Sequence, residues 1–189
     1  MPSEMIDELL SGAEQRMAKA VDNSHHEFAT VRTGRASPAL LERVTVDYYG
    51  ALTPLKSLAT ISAPEPRLLT VQPYDKASIK AIEKAINESD LGLHPSNDGN
   101  VVRLAVPELT EERRRELVKV VRHLAEEGRV AIRNVRRDVM SDLRELKTEG
   151  EIGSDDEHRA EVELQKLTDA KIGELDVLLA AKEREILEV

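Results

Sequence analysis

The chain has 189 residues, 33% of them charged and 40% hydrophobic, with a formal net charge of −9. That length allows one large domain or two small ones, and the apolar content is mainly Leu, Val, Ile and Ala. One Phe, three Tyr and no Trp argue against a base-stacking platform, and the absence of Cys excludes disulfides, thiolate metal sites and thiol catalysis.

No apolar run approaches the roughly 20 residues needed to span a bilayer. The start, Met1-Pro2-Ser3-Glu4, has neither a basic n-region nor an apolar h-region. A cytoplasmic protein is expected.

Residues 3–31 form the first predicted helix, with Ser3 as its N-cap. Ile6, Leu10, Ala13, Met17, Ala20, Ser24, Phe28 and Val31 step by three and four and give one apolar stripe. The pattern stops at Thr33-Gly34-Arg35-Ala36-Ser37-Pro38, where Gly and Pro end the helix. Residues 43–49 then alternate as a strand, with Gly50-Ala51 as a turn. Further short strands are predicted at 59–62, 68–72 and 101–106. A helix is predicted over 78–89, with Ile79, Ile82, Ala85 and Ile86 on one face, and Asn97-Asp98-Gly99 reads as a turn. Seven of the eight prolines fall between Pro38 and Pro107, so this middle piece is a compositionally distinct α/β module.

Helical period returns at Leu109 and runs over residues 111–149, with Thr110 as N-cap and acids in the first turn. At 100° per residue, Leu117, Val121, Leu124, Ile132, Val135, Val139 and Leu146 fall within an arc of about 80°. Arg115, Arg122, Arg129 and Arg136 repeat every seven residues on another face, joined by Arg133 and Arg144. Glu127, Asp138, Asp142 and Glu145 lie on a third. Gly150 and Gly153 mark the stop. Ser154-Asp155-Asp156-Glu157 reads as a capping box opening a last helix, whose stripe is Leu164, Leu167, Ile172, Leu175, Leu179 and Ile186.

Three long helices, each with a single apolar stripe, need one another. The predicted fold class is α+β: an elongated three-helix bundle with a small α/β domain inserted between its first and second helices. The expected bundle comprises residues 1–33 and 107–189, and the insert 34–106. Hinges are expected near 32–35 and 106–109, where the chain crosses between domains.

The arginine stripe has two readings. Arginines on a long helix often pair with a neighbouring helix's acids; segregated from the acids, they can instead meet a polyanion. The 111–149 segment has a net +2 on a chain whose remainder is −11, which implies a located contact. Arg129, Arg133, Arg136 and Arg137 lie within nine residues, and Arg suits bidentate phosphate contacts. A structured RNA with fixed grooves would suit a rigid rod of this kind.

No catalytic constellation is present. His25, His26, His94, His123 and His158 show no HExxH spacing, Thr33-Gly34-Arg35-Ala36-Ser37 lacks the second Gly and the Lys of a P-loop, and residues 151–157 read as a solvated acidic loop. The reading is a non-enzyme with no cofactor and no metal.

Five motifs, in order, resemble the bacterial ribosome recycling factor family. They are Arg32-Thr33-Gly34-Arg35-Ala36-Ser37-Pro38, Asp47-Tyr48-Tyr49-Gly50, Ser89-Asp90-Leu91-Gly92-Leu93, Leu109-Thr110-Glu111-Glu112-Arg113-Arg114, and Val130-Ala131-Ile132-Arg133-Asn134-Val135-Arg136-Arg137-Asp138. The resemblance runs from about Ile6 to the C-terminus, with Met5 as an alternative start. It implies an L-shaped pair of domains, a three-helix bundle and a β/α/β sandwich. It implies binding to the post-termination ribosome and, with elongation factor G and GTP hydrolysis by that factor, splitting into subunits to release mRNA and tRNA. The implied partners are large-subunit ribosomal RNA, elongation factor G and the small-subunit side of the intersubunit space, with no membrane and a monomeric chain. The RNA-contacting residues implied are Arg133 and Arg136, with Arg137, Arg129 and Arg114; the hinge falls on Arg32, Thr33, Gly34, Arg35, Val106 and Pro107. The alternative is a helical scaffold or adaptor without ribosomal activity, which would bind a protein partner without needing the arginines.

Overall fold

The computed structural model describes residues 1–188 and divides into two compact units, Met1–Val31 with Glu112–Glu188, and Arg32–Glu111. The first unit is a bundle of three helices: α1 (Pro2–Thr30), α4 (Glu111–Thr148) and α5 (Ser154–Glu188). At 1.5 Å per residue the 38-residue α4 is about 57 Å long. Its buried residues, Leu117, Val121, Ala125, Gly128, Ile132, Val135, Val139 and Leu143, step by three and four. They meet Ala13, Met17, Val21, Ser24 and Phe28 of α1, and Ala160, Leu164, Thr168, Leu175 and Ile186 of α5.

The stripes therefore lie where the periodicity places them, with substitutions inside them. Leu124 and Leu146 are only half-buried, while Ala125, Gly128 and Leu143 take the seam. The reason is close approach. A Cβ on Gly128 would overlap Ser24 Oγ of α1 and lie 3.0 Å from Leu175 Cδ2 of α5, so three helices converge on a residue without a side chain.

Two of the three expected N-caps, Ser3 and Ser154, differ. Helix α1 begins at Pro2 with Met1 as N-cap, not Ser3, and the Met1 amino group pairs with Glu4 at 3.1 Å. Proline is tolerated in a first turn, where its missing N–H has no partner to lose. Ser154 is already helical, and the Glu157 side chain is paired with Lys147 of α4 instead of reaching back to a cap. The stop at Gly150 is as expected. With φ +80, Gly150 donates to Lys147 O at 3.0 Å and Glu151 donates to Leu146 O at 2.9 Å, a Schellman pair closed by buried Ile152.

The second unit contains a two-stranded hairpin, β1 (Thr45–Tyr48) and β2 (Ala51–Pro54), followed by the short α2 (Leu55–Leu58). A four-stranded antiparallel sheet follows, in the order β3-β4-β6-β5, from β3 (Ala59–Glu65), β4 (Leu68–Pro73), β5 (Pro95–Asn97) and β6 (Val102–Ala105). Helix α3 (Ile79–Glu88) joins β4 to β5. The core is Leu41, Val46, Leu55, Leu69, Val71, Ile82, Ile86, Val102 and Leu104. Ile79, Ile82 and Ile86 supply the buried face of α3.

Strands β2 and β5 have no period-2 signal in the sequence. Ala51 already pairs with Tyr48, so the turn is Tyr49-Gly50, one residue earlier than expected. Asn97 pairs with Val102, so it ends β5 instead of opening the turn. That turn is held by Asp98, whose carboxylate accepts from Asn100 N–H at 3.0 Å and Val101 N–H at 2.9 Å and pairs with Arg103 at 2.7 Å. The Arg103 bond above all, with the two backbone donors, holds Asp98 well below the usual carboxylate range.

Candidate nucleic-acid interface

Three of the four heptad arginines of α4, Arg122, Arg129 and Arg136, are held by side chains of α5. Arg122 donates to Glu183 at 2.6 Å, and Arg129 donates to Asp176 at 2.6 Å and to Glu126 at 3.1 Å. The Glu183 hydrogen bond raises Arg122 above its ordinary value, and Asp176, followed by Glu126, does the same for Arg129. With 21% of its side chain exposed and two carboxylates on it, Arg129 offers an RNA little charge.

Arg136 is different. Its Nη1 donates to the neutral amide of Gln165 at 2.9 Å, and its Nε is buried with no partner. Gln165 in turn donates to Asp169 at 2.9 Å, which fixes the amide with its oxygen toward Arg136. Arg137 is exposed and donates to neutral Asn134. The one adjacent acid, Asp138, is occupied by Arg16 of α1 at 2.6 Å. Arg133, with 44% of its side chain exposed, shares Glu126 with Arg129 at 3.2 Å. The hydrogen bonds of the two arginines lower the Glu126 pKa.

Within the cluster 129–137, positive charge therefore survives chiefly at residues 133–137. Glu126 lies seven residues before Arg133, on the same helical face, so the separation of signs around α4 is incomplete there. That residue was legible in the spacing. The partners Gln165, Asp176 and Glu183 were not, because they come from another helix. Arg114 stands apart, about 30 Å along the axis from Arg133 to Arg137, and donates to Leu187 O at the end of α5 at 3.1 Å.

In the second unit, the two segments expected to act as hinges lie side by side. Gly34 has φ +73, and a Cβ there would be 2.9 Å from Leu109 Cγ. Just beyond, both segments are pinned to the β3–β4 turn: Ala36 donates to Pro66 O at 2.6 Å and Val106 donates to Arg67 O at 2.8 Å. Arg67 also pairs with Glu108 at 3.0 Å. Thr33, Ala36 and Val106 are buried, whereas Arg32, Arg35 and Pro107 are exposed.

The family model for ribosome recycling factor matches residues 24–187. The chain belongs to the ribosome recycling factor family. It is 62% identical over 187 residues to the ribosome-recycling factor of Rubrobacter xylanophilus, covering 99% of this chain and 100% of that one. The protein of the same name from Thermobifida fusca is 55% identical over 185 residues, 98% of this chain and 100% of that one. Among solved structures, the chain is similar to a ribosome recycling factor in solution, with a TM-score of 0.67 and 46% identity over 97% of this chain and 98% of that one. It is also similar to a chain from a structure of the T. thermophilus ribosome recycling factor and E. coli elongation factor G on the E. coli post-termination complex. There the TM-score is 0.59 and the identity 50%, over 96% of this chain and 98% of that one. Members of this family are non-catalytic translation factors. The two-domain α+β class agrees with these neighbours, and the scaffold alternative is set aside. Among the described residues, no helix is long and apolar enough to cross a membrane.

Proposed function

We infer that this chain recycles ribosomes. It binds the ribosome after termination and, with elongation factor G and GTP hydrolysis by that factor, splits it into subunits, which frees mRNA and tRNA. The observation that carries this is the family match across residues 24–187. The bundle supplies a rigid lever against the RNA of the large subunit. The second unit lies toward the small-subunit side and meets elongation factor G, and the chain acts as a monomer in the cytoplasm. No bond is broken by this chain, since the hydrolysis belongs to its partner.

At residue level, Arg133, Arg136 and Arg137 form the RNA contact, because Arg136 and Arg137 meet neutral amides and Arg133 only shares the Glu126 carboxylate with Arg129. Arg129 buttresses that surface from its pair with Asp176, and Arg114 contributes at the other end of α4. The interdomain hinge comprises Arg32, Thr33, Gly34, Arg35, Val106 and Pro107, between the bundle (residues 1–33 and 107–189) and the insert (34–106). The pinning of Ala36 and Val106 to the β3–β4 turn supports a short hinge, since little free chain is left on the insert side.

A splitting assay on post-termination ribosomes tests the reading. Splitting is expected with this protein, elongation factor G and GTP together, and little with either factor alone. No splitting with all three would sink it. For the RNA contact, Arg133→Ala and Arg137→Ala should each weaken large-subunit binding and reduce the dependence of log K on log salt by about one. Arg122→Ala, removing a charge already matched by Glu183, should leave that slope alone. Equal slopes for all three variants would place the RNA contact elsewhere.

A further inference from the structure

Two of the three tyrosines of the chain converge on one carboxylate of the second unit, and the third is the chain neighbour of that acid. Tyr48 donates to Asp75 Oδ2 at 3.2 Å and Tyr49 to the same oxygen at 3.5 Å. The Tyr48 and Tyr49 rings meet edge to face, 4.6 Å between centroids. Tyr74, next to Asp75, accepts from Thr60 Oγ1 at 3.3 Å. Tyr49 is 81% exposed and Tyr74 72% exposed. Aromatics this exposed contribute little to the core, yet they are gathered from positions 26 residues apart in sequence.

The hairpin turn sharpens the point. Tyr49 has φ 50 and Gly50 φ 83, both left-handed, as a two-residue type I′ turn requires. Asn or Asp followed by Gly is the low-strain sequence for that turn, whereas a tyrosine in its first position is strained. Tyr49 is the one non-glycine with positive φ among the described residues. Strain accepted for a ring that buries so little points to a use outside the chain's own packing.

We propose that the Tyr48, Tyr49, Tyr74 and Asp75 patch is a docking surface for a protein that presents a lysine or arginine side chain. Aromatic faces beside a carboxylate attract a cation through both the ring quadrupole and direct charge pairing. Two phenol donors already on Asp75 Oδ2 hold that carboxylate in place, and its Oδ1 accepts from Ala77 N–H at 3.0 Å. The segments that build the patch carry Asp47 and Asp75 against Lys76, an acidic balance that repels phosphate. The edge-to-face tyrosines also leave no continuous stacking platform for bases, so a protein is favoured over an RNA. Tyrosine is enriched among the few residues that carry most of the binding energy at protein interfaces.

This proposal rests on the recycling reading, and the full-length protein tests it on post-termination ribosomes with elongation factor G and GTP. Tyr49→Asn supplies the preferred turn residue, so the hairpin still folds, and Asp75→Asn keeps an acceptor for Ala77 N–H while putting a neutral amide nitrogen in place of the charged oxygen beneath the phenols. Each variant is expected to slow splitting at least about fivefold while large-subunit binding stays unchanged. A photoreactive benzoylphenylalanine in place of Tyr49 is expected to form an adduct with a protein, sensitive to protease and resistant to ribonuclease. Normal splitting by both variants, an adduct with RNA, or no adduct that excess unlabelled protein competes away would each overturn the proposal. Failure of the wild type to split ribosomes would instead overturn the recycling reading itself.

Discussion

Arg136 meets Gln165 at the place in the α4–α5 contact where its heptad equivalents Arg122 and Arg129 meet Glu183 and Asp176. A neutral amide orients the guanidinium without cancelling its charge. Gln165→Glu should therefore weaken large-subunit binding about two- to fivefold by converting the contact into an ion pair. Asp176→Asn should act in the opposite direction by releasing charge on Arg129. Filter binding at moderate salt reads both signs.

Gly34 and Leu109 set the clearance between the two segments proposed as the hinge. Gly34→Ala should lower stability by about 1–2 kcal/mol from the left-handed backbone alone, with more from the added Cβ against Leu109. Leu109→Ala should relieve only the second part, so the double variant should melt higher than additivity of the two single changes allows. On ribosomes, Gly34→Ala should depress splitting more than binding. Equal loss of both would count against a hinge at this position.

Gly128 reverses a usual rule. Glycine to alanine inside a helix ordinarily gains up to about 1 kcal/mol, but here the new Cβ would overlap Ser24 Oγ and press on Leu175. Gly128→Ala should fail to stabilise, and Gly128→Val should cost about 1–3 kcal/mol or more through overpacking. Adding Ser24→Ala to Gly128→Ala should recover stability in thermal melts, because it removes the nearest obstructing atom.

Asp98 gives the second unit an acid-sensitive turn. Its folded pKa is depressed by Arg103 and by the Asn100 and Val101 amides, so its contribution is present above the unfolded value of about 3.9 and is lost as pH falls below it. Wild type should therefore melt higher than Asp98→Asn at neutral pH, and the gap should narrow as pH is lowered toward 2. A constant gap across that range would mean that the carboxylate charge is not what holds the turn.

Periodicity made the framework legible. The stripes of Met17, Phe28, Val121, Ile132, Leu164 and Leu175 become the bundle core, and Ile82 and Ile86 the buried face of α3. Strands with alternating apolar residues were legible too, such as Leu69 and Val71 of β4. The strand Pro95–Asn97 was not, since its residues carry no strand preference and become a strand through pairing with Leu104, Arg103 and Val102. Two helix starts were misjudged because a serine can cap a helix or sit within its first turn, and Glu157 had a lysine on another helix to pair with.

The sequence by itself determined that this chain would build three amphipathic helices and an inserted, proline-rich sheet domain, and its motifs pointed to the family. Those features depend on residues near one another in the chain, and local periodicity records them. Which arginines keep their charge was decided only by tertiary structure. Arg122, Arg129 and Arg136 share one spacing, yet α5 presents to them Glu183, Asp176 and Gln165. Likewise the convergence of Tyr48 and Tyr49 on Asp75 arises from the hairpin turn meeting the segment that follows β4. Charge cancellation and side-chain clustering act over ångströms, and the chain order holds no record of such distances between separate elements.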